Sequence, residues 1–484
     1  MQMKNNNILD KPILALSDSD VLTFRHLVEG GVLITGGLGS GKSSTSGKAL
    51  AMGMLRAGLG GLILTVKSDE TLHWKEYIDK AGRSKDLMVF SAESGLSFDP
   101  LAYTWNQPGR GAGYIESIIE LFTTLMAIGK PETRASSESR YFELAVEELM
   151  RATLVMQSLA AEPISITSMN NIIISLPTEP EQIETAEWQK SSSAAKLVEK
   201  LKERFNNLTD GQREDLENAI NFALEAWPNE DPRTRSNVLS TWTGMASKFT
   251  YDPLRRMFCS GRYDFTPEQV THERKLILLD VPVLEFGREA SRICQILIKI
   301  VFQRAWLRHQ YVPGCCNGGF LFQDEFSMLL HRLENHFHTV VRSSAIAPIC
   351  LTTNILNLAS EEFGENEPGS KTYSFLGNLT VKIFHHQSDI KTRQYAADLI
   401  GQEYRYLDNY SAGGSISQAH ANFGGHKHLA HIVEPVEFSR LLKPDGENPY
   451  AEAIVYTGSV FNATKTNSNP KGNTYLRVVF SRDI

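Results

Sequence analysis

The sequence predicts an α/β fold with a central, mostly parallel sheet that is interrupted by an all-α insert. Two apolar runs, one ending at Gly36 and the other spanning Gly60–Glu70, flank a helical stretch at the spacing of a βαβ unit. From about Tyr114 to Cys259 strand patterns nearly vanish and apolar residues recur at helical spacing. Apolar runs then resume at Lys275–Val283 and Gly319–Glu325 and alternate with helical stretches.

This pattern predicts three segments in a chain of 484 residues, which is longer than one ordinary core. Residues 1–106 would form the first part of a nucleotide-binding domain and residues 107–262 an all-α insert domain. Residues 263–484 would complete the nucleotide-binding domain and end in a β-hairpin. The stretch Asn409–His428 is rich in Gly, Ser and His, which predicts a mobile loop.

Composition narrows the class of protein. Hydrophobic residues make up 42% and charged residues 22%, which is typical of globular chains. A net charge of -7 provides no global basic field for nucleic acid or a membrane, so any such contact requires a local patch. The five cysteines lack zinc spacing, and no apolar run reaches the ~18 residues that a membrane-spanning helix needs. We therefore expect a cytoplasmic protein without an integral membrane segment.

A glycine-rich motif at the first strand–helix turn gives the clearest indication of a ligand. The run matches GxxxxGK[ST], in which backbone N–H groups wrap phosphates, Lys42 reaches the β and γ oxygens, and Ser43 coordinates Mg²⁺. The helix that follows adds its positive end to the anion site. The predicted nucleotide-binding residues are Gly36, Gly37, Leu38, Gly39, Ser40, Gly41, Lys42, Ser43 and Ser44.

An ATPase of this kind also needs a carboxylate at a strand end for the Mg²⁺ shell and a group that activates water. Asp324 ends the run GFLFQD and is predicted to bind Mg²⁺ through water, and Glu325 is predicted to act as the general base. Asp280, at the end of LILLD, is a rival metal ligand that lacks an adjacent glutamate. The sequence thus predicts binding of ATP with Mg²⁺ and ATP hydrolysis.

Two groups of histidines are candidate metal ligands. Neither group is accompanied by the carboxylate or thiolate ligands that usually confirm a metal site. We therefore expect these histidines to lie on the surface or in loops. The groups are His331, His336 and His338, and His426, His428 and His431.

With both nucleotide motifs placed, the chain resembles the type IV coupling proteins of bacterial conjugation, in the FtsK/HerA branch of RecA-like DNA pumps. The resemblance spans about Val32 to Leu442 and rests on the order of its pieces. After the P-loop these are VKSDE, FDPLAY, RYFELAVEELM, KLILLDVPV, QDEF, LTTNILNL and LGNLTVKIFHHQSDIKTRQYAADLIG.

The resemblance implies a RecA-like ATPase with ATP and Mg²⁺ as cofactors and six identical subunits in a ring. It implies translocation of single- or double-stranded DNA through the ring pore, with a relaxase, a nuclease or a secretion-channel protein as partner. Family members usually begin with membrane helices, whereas this sequence starts almost directly at the ATPase domain. That departure puts docking to a secretion channel in question.

Two further site residues follow from the resemblance. Thr353 stands where the family has a glutamine that senses the γ-phosphate, so that role passes to Thr353. Arg342 matches an arginine that reaches the γ-phosphate of the neighbouring subunit in the family. The alternative for Arg342 is a surface arginine that pairs with a local acid such as Glu334.

Three functions remain open at this point. The first is a ring-forming DNA motor, in which the loop with His426, Lys427 and His428 would face the pore as a repeated basic ring, although that loop equally fits a solvated connection. The second is a HerA-like ATPase that serves a nuclease or defence complex. The third is a scaffold switched by nucleotide, against which the intact pair of Asp324 and Glu325 argues.

Overall fold

The structure is a computed structural model that describes residues 7–107, 112–128, 137–314, 316–361, 366–415 and 418–483. Thirteen strands lie in these ranges. They are β1 (Pro12–Ala15), β2 (Val21–Thr23), β3 (Val32–Thr35), β4 (Gly60–Thr65), β5 (Leu87–Phe90), β6 (Leu276–Asp280), β7 (Gly319–Gln323), β8 (Ile346–Thr352), β9 (Val381–His385), β10 (Gln402–Ser415), β11 (Gln418–His431), β12 (Tyr450–Tyr456) and β13 (Tyr475–Ser481).

Twenty α-helices lie in the same described ranges. They are α1 (Phe24–Val28), α2 (Lys48–Arg56), α3 (Ser68–Lys80), α4 (Pro100–Asn106), α5 (Ile115–Met126), α6 (Ser137–Leu159), α7 (Ile166–Ile173), α8 (Ala186–Ser191), α9 (Ser193–Arg204), α10 (Asp210–Ile220), α11 (Trp227–Asn229), α12 (Pro232–Ala246), α13 (Leu254–Phe258), α14 (Pro267–His272), α15 (Val283–Phe286), α16 (Arg288–Arg308), α17 (Glu334–Val340), α18 (Ile355–Glu361), α19 (Ser370–Asn378) and α20 (Ile390–Ile400).

The chain folds into two compact units. The first consists of Met1–Gly58, Gln323–Ser327 and Ala347–Ile484, and the second of Leu59–Phe322 and Met328–Ile346. The acidic motif at 324–325 therefore belongs to the same unit as the glycine-rich motif, although about 280 residues separate the two in sequence.

Strands of the first unit lie in the order β13-β12-β9-β3-β8. β3 is completely buried and pairs in parallel with β8 and β9, with Thr35 opposite Thr352 on one side and Phe384 on the other. Because parallel strands that start in register also end together, the segments after β3, β8 and β9 emerge at one edge. β12 and β13, predicted as a closing hairpin, pair antiparallel, and β12 also pairs with β9.

Strands of the second unit lie in the order β7-β4-β6-β5, and β6 pairs in parallel with both β4 and β5. Its core contains a group of buried aromatic rings, in which Phe98 stacks on Phe265 with ring centroids 4.9 Å apart. Residues 112–128 and 137–262 contain helices and no strand. Parallel strands with helical connections confirm the α/β fold class, while the division into three segments at 107 and 262 remains a proposal.

The stretch predicted as a mobile loop, Asn409–His428, is instead part of an antiparallel hairpin. β10 and β11 pair continuously from Gln402 opposite His431 to Ser415 opposite Gln418. The prediction was wrong because apolar alternation detects strands that bury one face, whereas a two-stranded ribbon can form through backbone hydrogen bonds alone. Glycines at four paired positions also removed the side-chain pattern.

None of the helices in the described ranges combines the length and apolar character that crossing a lipid bilayer requires.

Candidate nucleotide site

Glycines shape the turn between β3 and the following helix. Gly39 and Gly41 have φ values of +68° and +89°, in the left-handed region that strains other residues. A Cβ on Gly36 would lie 2.3 Å from Oγ of Ser40, so a side chain does not fit there either. The backbone N–H of Gly37 donates to the carbonyl of His386 at 2.9 Å, which ties the turn to the end of β9. The motif thus has the backbone of a phosphate-binding loop.

A helix begins directly after this turn. Ser43–Gly47 forms one wide helical turn that continues into α2, and the N–H of Gly47 donates to the carbonyl of Lys42 at 2.8 Å. The predicted strand–turn–helix context is therefore present, and the helix N-terminus adds unpaired N–H groups and a partial positive charge. Ser44 lies half-buried in this first turn, and Leu38 on the loop is 83% exposed.

Lys42 supplies the observation that most favours an anionic ligand. Its side chain is 8% exposed, yet it forms no ion pair within the described part of the chain. A buried ammonium group without an anion is costly unless a ligand supplies the charge. Oγ of Ser40, in the same loop, is buried and has no hydrogen-bond partner among the residues that the structure describes. The loop therefore fits a phosphate group.

Ser43 and Asp324 meet across this site. Oγ of Ser43 lies 3.3 Å from Oδ1 and 3.5 Å from Oδ2 of Asp324, which is 2% exposed. A hydroxyl and a carboxylate in this arrangement are oxygen donors of the type that Mg²⁺ accepts. The two residues therefore fit a nucleotide-bound Mg²⁺.

Glu325 follows Asp324 in an uncommon backbone conformation. Its φ of +50° is left-handed, which costs energy for a residue with a Cβ, and its N–H donates to Oδ1 of Asp324 at 3.0 Å. Glu325 is half-buried rather than enclosed in the core. A strained residue beside a candidate metal ligand points to a functional constraint, because strain of this kind concentrates at active sites.

The rival metal ligand Asp280 has a different environment. It ends β6 in the second unit, where its Oδ1 accepts a hydrogen bond from Oγ1 of Thr71 at 2.9 Å. This local partner gives Asp280 a structural role, and Asp324 stays the preferred ligand because it is the carboxylate that contacts Ser43.

Gln387 and His385 are site neighbours that sequence reasoning missed. Thr353, the predicted phosphate sensor, follows β8, and its carbonyl accepts a hydrogen bond of 2.7 Å from Nε2 of Gln387. His385 is fully buried, its Nε2 lies 2.7 Å from Oγ of Ser46, and burial lowers its pKa to about 3. The signal that could have found both residues is their place at the end of β9, the strand beside β3.

A cavity of about 380 Å³ opens beside the first residues of the loop. Its lining includes Gly37, Leu38, Thr353, His386, Gln387 and Lys443. The cavity lies within the first unit and brings together the loop, the predicted sensor and the segment after β9.

Arg342 is exposed on a 3₁₀ turn, Val341–Ser344, of the second unit. In the described ranges it forms no ion pair. The suggested pairing with Glu334 is wrong, because Glu334 is completely buried with its Oε2 2.6 Å from Nζ of Lys299. Arg342 is therefore available for a contact outside its own chain.

Of the three histidines before Arg342, His336 is exposed as expected and the other two differ from expectation. His331 and His338 were predicted to be surface or loop residues, yet both are buried, with Nε2 atoms 3.0 Å and 3.2 Å from carboxylate oxygens of Glu334. Burial opposes ionisation of Glu334, but Lys299 and then His331 outweigh it and hold the pKa of Glu334 well below its usual value. No group of three metal-ligating side chains was found in the part of the chain that the structure describes.

Comparison with known proteins supports the fold. No protein-family model matches the chain, and the search of curated proteins gave no match. Solved structures of the bacterial conjugative coupling protein TrwB do match. The unbound form aligns with a TM-score of 0.60 at 14% identity and covers 95% of this chain and 86% of that one.

Two nucleotide complexes of TrwB match in the same way. The complex with the non-hydrolysable ATP analogue ADPNP has a TM-score of 0.59 at 14% identity, with 96% of this chain and 88% of that one covered. The complex with ADP and Mg²⁺ has a TM-score of 0.58 at 13% identity, with coverages of 97% and 90%. At these identities the likeness establishes the fold, which is that of the coupling proteins over nearly the whole chain.

Proposed function

We propose that the chain is an ATP-hydrolysing motor of the coupling-protein type, which assembles into a homo-hexameric ring and translocates DNA. The nucleotide part of the proposal rests on Lys42, whose ammonium group is buried and forms no ion pair in the described part of the chain. The next residue, Ser43, contacts Asp324. The matching TrwB structures with ADPNP and with ADP and Mg²⁺ support ATP and Mg²⁺ as the cofactors.

In this proposal each site residue has one role. Lys42 and the loop N–H groups bind the phosphates, and Ser43, with Asp324 through water, holds a Mg²⁺ ion that neutralises phosphate charge. Glu325 accepts the proton of the attacking water. Thr353 contacts the terminal phosphate, and Gln387 positions Thr353 through the hydrogen bond to its carbonyl.

The first prediction concerns binding. Lys42→Ala is expected to abolish tight nucleotide binding, because it removes the only buried cation that the described part of the loop offers to the phosphates. Isothermal titration with ADPNP and Mg²⁺ measures the loss, and Lys471→Ala, an exposed lysine of the same unit, serves as the matched control. Wild-type affinity in Lys42→Ala would show that the loop does not bind nucleotide.

The DNA part of the proposal has support in the hairpin of β10 and β11. Tyr404 and Tyr406 are 70% and 68% exposed, and Nζ of Lys427 lies 5.0 Å from the ring centroid of Tyr406. Residues i and i+2 of a strand share a face about 6.8 Å apart. Exposed aromatic rings beside a cation are the features with which proteins stack single-stranded bases without reading their sequence.

The second prediction concerns DNA. Oligonucleotides of different sequence, such as an oligothymidine and a mixed sequence of the same length, should bind equally tightly. Their binding should weaken steeply with salt, because phosphate contacts release counterions. The double variant Tyr404→Ala/Tyr406→Ala should lose about 10-fold or more in affinity, since stacking contributes ~1–3 kcal/mol per base. Tyr251→Ala, which removes a ring that is 76% exposed on the helical segment, should change nothing.

Fluorescence anisotropy at several salt concentrations, with and without ADPNP, measures these affinities. Strongly sequence-specific or salt-insensitive binding contradicts the proposed contact of DNA with the hairpin of β10 and β11. Absence of DNA binding in every nucleotide state favours a nucleotide-switched scaffold.

A further inference from the structure

The segment Leu442–Asp445 is held directly against the phosphate-binding loop. A Cβ on Gly41 would lie 3.0 Å from Cγ of Pro444, so this proline packs on the glycine beside Lys42. Backbone hydrogen bonding fixes the segment, because the N–H of Glu452 donates to the carbonyl of Leu442 at 3.1 Å. In return, the N–H of Leu442 donates to Oε2 of Glu452 at 3.0 Å. The residue that precedes Pro444 is therefore placed next to the loop.

Lys443 is that residue, and it lines the 380 Å³ cavity together with Gly37 and Leu38 of the loop. It is exposed and has no hydrogen bond or ion pair in the described ranges of the chain. The cavity also contains an acid, Asp389, but its Oδ2 accepts hydrogen bonds from N and Oγ1 of Thr392 at 2.7 Å and 2.6 Å. The carboxylate of Asp389 therefore caps α20, and no anion of the described chain is bound to Lys443.

The other cavity residue that can carry a positive charge is His386. Burial, and then the charge of Lys443, lowers the pKa of His386 below its ordinary value, so its imidazole is neutral at neutral pH. Lys443 is consequently the cation of this cavity. A flexible ammonium on a four-carbon stem is well suited to follow a phosphate group.

We infer that Lys443 is a second cation of the nucleotide site and binds the terminal phosphate of a nucleoside triphosphate. The inference rests on the proposed nucleotide-binding function. Lys42 reaches the phosphates from the end of the loop, and Lys443 reaches the terminal phosphate from the cavity at the start of the loop. The site then distinguishes a triphosphate from a diphosphate, because only the triphosphate supplies charge on the cavity side.

Titration calorimetry of Lys443→Ala with ADPNP and with ADP, each with Mg²⁺, tests this directly. Loss of one charge-assisted contact should weaken ADPNP binding about 10-fold. ADP binding should weaken by less than about 2-fold. Lys443→Arg should keep most of the difference between the two nucleotides, and Lys471→Ala should match the wild type.

Each outcome has one meaning. An equal loss of affinity for ADPNP and ADP, or no loss for either, overturns the role of Lys443 while the proposed function stands. A wild-type protein that binds neither nucleotide overturns the proposed function itself. Thermal unfolding of the nucleotide-free variants should match that of the wild type, because an exposed side chain without partners is replaced.

Discussion

Glu325→Gln is expected to bind ATP with near-normal affinity and to hydrolyse it at least about 100-fold more slowly than the wild type. The amide has nearly the same shape as the carboxylate but cannot accept the proton of the attacking water. The left-handed backbone of Glu325 and the hydrogen bond from its N–H to Asp324 fix the backbone of Glu325 beside the candidate Mg²⁺ ligand, where the proposal places the base.

Steady-state phosphate release and calorimetric ADPNP binding, measured on the same preparation, separate catalysis from binding. Glu447→Gln makes the same chemical change at an exposed glutamate of the same unit and should retain full activity. Near-normal turnover in Glu325→Gln would show that another group is the base.

Arg342→Ala is expected to lower turnover by about 10³-fold or more, as loss of an arginine finger does in other NTPases. The physical reason is that a guanidinium of one subunit stabilises the transition-state charge at the phosphate of its neighbour. Arg342 is exposed and forms no ion pair in the described part of the chain. Its suggested acidic partner, Glu334, forms an ion pair with Lys299 instead.

Mixing subunits tests whether Arg342 acts in trans. Rings that contain both Arg342→Ala and Glu325→Gln subunits include some interfaces with an intact arginine and an intact glutamate, so activity should return although each variant alone is inactive. Arg56→Ala, at another exposed arginine, is the control for surface charge. Full activity of Arg342→Ala at every protein concentration would contradict the role.

The conformation of the glycine-rich loop could be predicted because its sequence pattern is local. The glycines, Lys42 and Ser43 lie within eight residues, and both the strand before them and the helix after them show regular apolar patterns. The place of Asp324 at the end of a strand could be predicted for a related reason, since it ends a continuous apolar run. The ordering of such runs also predicted the α/β class, because parallel strands buried on both faces are continuously apolar.

Residues brought to the site by distant chain segments could not be predicted in this way. Gln387 and Lys443 reach the loop only through the position of β9 next to β3 and the packing of Pro444 on Gly41. His331 and His338 were expected at the surface because nothing near them in sequence shows that their partner Glu334 is buried. Glu334 is paired with Lys299, which lies about 35 residues earlier, in the middle of α16. The hairpin of β10 and β11 escaped prediction because its pairing is a backbone property that its glycines and histidines do not signal.

Displacement of streptavidin from an end-biotinylated oligonucleotide tests the central claim, ATP-driven movement along DNA, most directly. The account predicts displacement that requires ATP and Mg²⁺ and that disappears in Glu325→Gln, although this variant still binds both ATP and DNA. A wild-type protein that hydrolyses ATP and binds the same oligonucleotide, yet never displaces streptavidin from either end of it, would contradict the account.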